Sequence, residues 1–153
     1  MAQTTFDGID AVRAAVGTHL GHSEWTTVTQ EQVQTFADAT GDQQWIHVDV
    51  ERATAESPFG GPIAHGYLTL ALTNLFLPQV VEVRGISLGV NRGTGKIRFP
   101  APVPVGSRLR AGVELASVDD VAGGIDTMMV ITVEREGADK PVCVVESLSR
   151  YLA

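Results

Sequence analysis

Hydrophobic spacing divides the chain in two: apolar positions recur mostly at helical intervals up to Pro78, then come in Val- and Ile-rich runs broken by glycines. Ile9 to Val16 reads as a short helix and Glu24 to Val28 as a short strand. Thr29 is placed as a helix cap with Gln32 three residues on, the reciprocal capping-box arrangement. Val33, Phe36, Ala37 and Thr40 then follow on one helical face. Gly41 is the natural stop, because a left-handed residue at a helix end is least strained as glycine. The spacing therefore predicts loop over Gly41 to Val48. Asp49 is suited to cap a further short helix through Ala55, and Ser57 to Pro62 forms a turn-rich connection.

Tyr67 to Leu77, YLTLALTNLFL, is apolar on nearly every side and ends at Pro78, which predicts one helix buried all round. Asn74 on that helix needs a hydrogen-bond partner, either the loop around Asp42 or a backbone group. Strands are expected over Gly85 to Val90, Lys96 to Phe99, Arg108 to Ser117, Ile125 to Val133 and Val142 to Tyr151, with Gly123-Gly124 turning a hairpin. Helices early and strands late point to an α+β fold, one long helix lying against an antiparallel sheet. No repeat or linker interrupts the 153 residues, so residues 1–153 are taken as a single domain, long enough to bury roughly 70% of its unfolded surface. A sheet wrapped around a long buried central helix is the hot-dog arrangement.

Charge and composition narrow the function. A net charge of -7 argues against nucleic acid as the main partner, since phosphate backbones are bound through lysine and arginine. Yet Arg84 to Val113 contains no acidic residue, while Arg84, Arg92, Lys96, Arg98, Arg108 and Arg110 supply six of the eleven basic ones. These are either solvated strand faces or a seat for a polyanionic ligand. The single Cys143 rules out an internal disulfide framework and a Cys-rich zinc site, and suits a reducing compartment, with the cytoplasm as the default. The first twenty residues lack a basic start and an unbroken apolar run, and no stretch approaches the ~20 apolar residues of a membrane span, so neither secretion nor membrane insertion is signalled.

Candidate chemistry centres on Asp42 and His47 in GDQQWIH. Five residues apart, they would point about 140° from each other on a helix and to opposite faces of a strand. A loop after Gly41 can fold them together; taken alone, Asp42 could equally cap a turn and His47 be a surface or core histidine. His65 with His47, or His19 with His22, could suggest a metal site, but no tight ligand spacing such as HExxH occurs and no metal is expected. His65 is taken as structural.

The stretch Phe36-Ala37-Asp38-Ala39-Thr40-Gly41-Asp42-Gln43-Gln44-Trp45-Ile46-His47, followed by Ala53, resembles the signature of (R)-specific enoyl-CoA hydratases of the MaoC-like group. Pro62-Ile63-Ala64-His65-Gly66 is similar to that family's second block, and the resemblance runs from about Gly21 to Tyr151. Gln44-Trp45 stands where most members carry Asn-Pro, which looks more like the NodN-like branch. The resemblance implies that Asp42 and His47 hold one water between them, activate it for attack on the β-carbon of a trans-2-enoyl-CoA and return a proton to the α-carbon, giving (R)-3-hydroxyacyl-CoA. It further implies that the Gly66 backbone N–H receives the thioester oxygen. Trp45 is either a wall of the acyl tunnel or core packing, and Arg92, Lys96 and Arg98 are candidate contacts to coenzyme A. No separate cofactor is expected, coenzyme A being part of the substrate, and a homodimer is expected because a lone hot-dog sheet has exposed edges. The rival readings are a hot-dog thioesterase, which would free a thiol from a saturated acyl-CoA, and a non-catalytic acyl-CoA binding protein.

Overall fold

The computed structural model describes residues 2–153. In chain order the elements are β1 (Thr4–Asp7), α1 (Ile9–Ala14), β2 (His19–His22), β3 (Thr26–Thr27), α2 (Gln30–Thr40), α3 (Trp45–Val48), α4 (Val50–Glu56), α5 (Gly66–Ala71), α6 (Thr73–Val80), β4 (Val81–Arg84), β5 (Leu88–Arg98), β6 (Arg108–Val121), β7 (Gly124–Arg135) and β8 (Pro141–Leu152). Five strands run antiparallel in the order β2-β6-β7-β8-β5, and β3 pairs further along β6. The α5–α6 segment lies on one face of this sheet, which is the hot-dog arrangement the apolar pattern predicts. A second, small sheet pairs β1 with β4 in parallel, a pairing the sequence did not signal.

The core follows from the strand alternation. Leu109, Ala111, Val113 and Leu115 on β6, Ile131 and Val133 on β7, and Cys143 and Val145 on β8 are almost fully buried together with Phe76 and Val80 of α6. Fully burying a side chain such as Phe76 contributes about 1.5–3 kcal/mol. The β6–β7 hairpin turns through Ala122-Gly123, where Gly123 has φ 81°, and Gly124 already belongs to the ladder.

Three expectations need correction. The helix expected over Tyr67 to Leu77 is two helices with a break at Leu72; it starts at Gly66 and carries Pro78 inside its last turn through Val80. Nor is it buried all round: Leu68, Leu72, Phe76 and Val80 face the sheet, whereas Tyr67 is 73% and Leu75 45% exposed and Asn74 is exposed too. Uniform hydrophobicity concealed a face that a single chain does not cover. The two strands expected over 85–90 and 96–99 are one strand, β5, whose register against β8 shifts at Asn91/Gly93 and again at Thr94/Ile97. Bulges of this kind break the strict alternation by which a strand is read.

Strand β5 ends the sheet on one side, eleven residues long and exposed at every position but Ile97. The opposite edge is the short β2 and β3.

Candidate active site

The site begins with the end of α2. Thr29 caps that helix by accepting from the Gln32 N–H, although the reciprocal half of the capping box is missing: the buried Gln32 Oε1 has no partner among the described residues. Gly41 ends it with φ 86°, a conformation that favours glycine. The chain then turns sharply: Gln44 N–H donates to Asp42 Oδ1 at 3.3 Å, and Gln43 reaches back to donate to Asp38 Oδ1 at 2.7 Å. Gln34 donates to the same carboxylate, four residues along the helix, and these amides hold Asp38 below the usual carboxylate range. Gln30 donates to the His47 carbonyl at 2.8 Å. The glutamines and Asp38, overlooked in the sequence, tie the loop to a rigid helix; the Gln34/Asp38 spacing of four was the visible signal.

His47 does not lie in loop, as expected, but in the single-turn helix α3. Trp45 is its first residue, the position where proline is best tolerated, and Gln44 just before it has ψ 136°, the extended conformation a residue preceding proline also takes. The Gln44-Trp45 pair thus holds the backbone shape that Asn-Pro would favour. Trp45 itself is half-buried under the Arg52 guanidinium, 4.3 Å from its ring centroid; it is outside the core cluster and outside the cavity beside Gly66.

Asp42 and His47 are brought together. The Asp42 carboxylate, a His47 ring nitrogen and a His65 ring nitrogen lie within 4.8 Å of one another. His47 is 8% exposed, and its Nδ1–H donates to the Ile63 carbonyl at 2.6 Å. A carbonyl only accepts, so Nδ1 carries the hydrogen and Nε2 of the neutral ring is left as the basic atom. His65 is 3% exposed; its Nε2–H donates to the Asp42 backbone carbonyl at 3.1 Å, and its ring stacks on His47 with centroids 3.9 Å apart. The histidine expected to be structural therefore braces both partners of the pair. Stacked imidazoles do not converge on one ion, because a metal lies close to the plane of each ring that binds it. His19 and His22 form a separate pair on β2, rings 4.8 Å apart.

Gly66 opens α5, and as the first helical residue its N–H has no acceptor within the helix. Beside it a cavity of about 320 Å³ is lined by Ile63, Thr69, Phe59, Phe99 and residues 100–103. Ile63 joins the two regions, lining the cavity while its carbonyl holds His47.

Most of the basic segment is engaged elsewhere. Arg84 pairs with Glu82, Arg108 with Glu136, Arg110 with Glu134, and Arg92 with Asp126 at 3.3 Å. Arg150 donates two hydrogen bonds to Asp126 and with Arg92 holds that carboxyl below its ordinary range. Among the described residues only Lys96 and Arg98 of the six have no carboxylate in pairing distance; both sit on β5, and Arg98 directly precedes the cavity residue Phe99. Cys143 is fully buried, and desolvation pushes its thiol up to about 11, which leaves it protonated at neutral pH and unfit as a nucleophile.

Comparison with known proteins adds to this geometry. The family model described as the MaoC like domain matches residues 11–137. The 3-hydroxyacyl-thioester dehydratase Z of Mycobacterium tuberculosis is 53% identical over 150 residues, spanning 97% of this chain and 99% of its own. Nodulation protein N of Rhizobium leguminosarum bv. viciae is 43% identical over 132 residues, 85% of this chain and 82% of that protein. Among solved structures, the unliganded R-hydratase PhaJ1 of Pseudomonas aeruginosa superposes with a TM-score of 0.72 at 25% identity, over 90% of this chain and 81% of its own.

Proposed function

Because the chain belongs to the MaoC-like family, we propose that it catalyses the reversible addition of water to a trans-2-enoyl-CoA, giving the (R)-3-hydroxyacyl-CoA. It is a hydro-lyase of the hydratase/dehydratase kind; the configuration, the coenzyme A carrier and the residue roles below are our reading. The observation that carries it is the approach of the Asp42 carboxylate to His47 within 4.8 Å, with the His47 ring fixed through Nδ1.

Such a gap suits one water accepting from or donating to both groups. Water is a poor nucleophile at neutral pH, so a positioned base is required. In the hydration direction the Asp42 and His47 pair takes a proton from the water as its oxygen bonds to the β-carbon. The π electrons move toward the thioester carbonyl, and charge grows on its oxygen. The Gly66 N–H is the proposed donor to that oxygen, already in place before charge develops. The proton then passes from the same pair to the α-carbon, on the face that received the hydroxyl. Lys96 and Arg98 are the basic residues available to the phosphates of coenzyme A.

The test is direct. Purified protein mixed with trans-2-enoyl-CoAs of increasing length should bleach the absorbance of the conjugated thioester, and chiral analysis of the product should return the (R) alcohol. Release of free thiol from a saturated acyl-CoA would instead identify a thioesterase, and binding without any bleaching a carrier protein.

A further inference from the structure

Resting on the enoyl-thioester reading, we propose that the preferred acyl group carries a hydrogen-bonding oxygen, a hydroxyl or a carbonyl, near its far end. Its seat is the cleft between α6 and β5, with Ser147, Ser149, Asn74 and Asn91 as its polar partners.

The residues of β8 that face the helix change character along the strand. Cys143 and Val145 are apolar and belong to the core; Ser147 and Ser149, the next two on that face, are hydroxyls. Strand register extends the change sideways. Ser149 stands opposite Asn91 of β5 and Thr127 of β7, while Ser147 stands opposite Thr94 of β5. Directly opposed residues share a face, so this end of the sheet turns a polar row toward the helix. Asn74 of α6 completes the lining. Two adjoining cavities of about 250 and 200 Å³ run there, the first from Tyr67 to Ser147 and the second from Thr73 to Tyr151.

Burial makes the row informative. Ser147 and Ser149 are each 8% exposed and Thr127 1%. The Thr127 hydroxyl is fully enclosed without a hydrogen-bond partner among the described residues, and the Ser147 and Ser149 hydroxyls open onto the cavity instead of bonding to their neighbours. Buried polar groups are nearly always paired, and the two buried serines that line this cavity call for a ligand that pairs them. An alkyl tail would strip water from these hydroxyls and return nothing. A tail bearing oxygen would satisfy them. Asn74 lies eight residues beyond Gly66, roughly 12 Å at helical rise. The polar row therefore meets the distal part of a medium-length chain and not the reacting carbons.

The experiment compares trans-2-decenoyl-CoA with its ω-hydroxy counterpart as two substrates of one preparation. Because both are measured on the same enzyme, the ratio of their kcat/KM values is independent of the folded fraction. The hydroxylated thioester should be favoured by about tenfold, the scale of one good hydrogen bond. In the double variant Ser147→Val, Ser149→Val the ratio should fall to one or below, with the change mainly in KM. Turnover of both thioesters at equal kcat/KM in the unaltered protein, or a preference that survives the double substitution, overturns the proposal and leaves the hydratase reading intact. Failure to bleach any enoyl-CoA overturns that reading and this proposal with it.

Discussion

At the scale of single residues, the proposed chemistry rests on two side chains with different degrees of support. His47 is held through Nδ1 by a carbonyl, covered by His65 and tied through its own carbonyl to Gln30. Asp42 is more open, its side chain 53% exposed, and its backbone is held by the His65 donor. Substituting Asp42→Asn or His47→Gln keeps size and some hydrogen bonding while removing the base, so each should lower kcat by roughly 10²–10⁴-fold with circular dichroism unchanged. Near-normal turnover of a good enoyl-CoA by either variant would falsify the pairing. These two positions were legible in the sequence through its resemblance to the MaoC-like signature over Phe36 to His47. The role of His65 was not, because a histidine 18 residues from its stacking partner has no local signature.

At the scale of elements, α5 brings the third proposed participant. A backbone donor cannot be deleted through its side chain, but Gly66→Pro removes the N–H at a position where a helix accepts proline. The control is Gly66→Ala. Gly66 is not among the residues with positive φ, so alanine is conformationally allowed; its Cβ would come within 3.3 Å of the Phe99 ring, which is 45% exposed and free to give way. Gly66→Pro should lose roughly 10²–10³ in kcat relative to Gly66→Ala, the effect of one oxyanion donor. Equal kcat values in two folded variants would assign the thioester oxygen to another donor. The element boundaries explain why the helix itself was misread: an apolar run without a polar face gives no sign of the break at Leu72 or of which side stays uncovered.

At the scale of the whole molecule, two surfaces are left without cover: the long free edge of β5, and the face of α5–α6 on which Tyr67 and Leu75 are exposed. Tyr67 and the β5 residues Asn91 and Thr94 border one cleft, so the two surfaces adjoin. Exposed unpaired strands are templates for pairing. A homodimer joined along β5 would cover both features, and light scattering should return twice the 16.3 kDa chain mass; a monomer at working concentration rejects it. Lys96 and Arg98 sit on that strand, so a truncated pantetheine thioester should show a higher KM than the coenzyme A thioester, by a factor of about two to five for each exposed charge pair lost. Added salt should narrow the gap, since exposed charges are screened. Equal KM values at low salt would remove the phosphate seat.

The α+β class, the helix cap at Thr29, the stop at Gly41 and the β6–β7 hairpin were determined by the sequence itself, and the Asp42/His47 pair was singled out by its resemblance to the MaoC-like signature. Each is legible locally, through backbone strain at a glycine, a short side-chain bond, the period of the apolar pattern or a contiguous signature. The tertiary structure alone decided the rest. It selected which basic residues are neutralised by carboxylates far along the chain, as Arg92 is by Asp126. It stacked His65 on His47, and its strand register lined up Asn91, Ser149 and Thr127 across three strands. Those relations depend on which strands become neighbours and how they slide against one another, and the bulges in β5 that set the register leave no mark in the hydrophobic pattern.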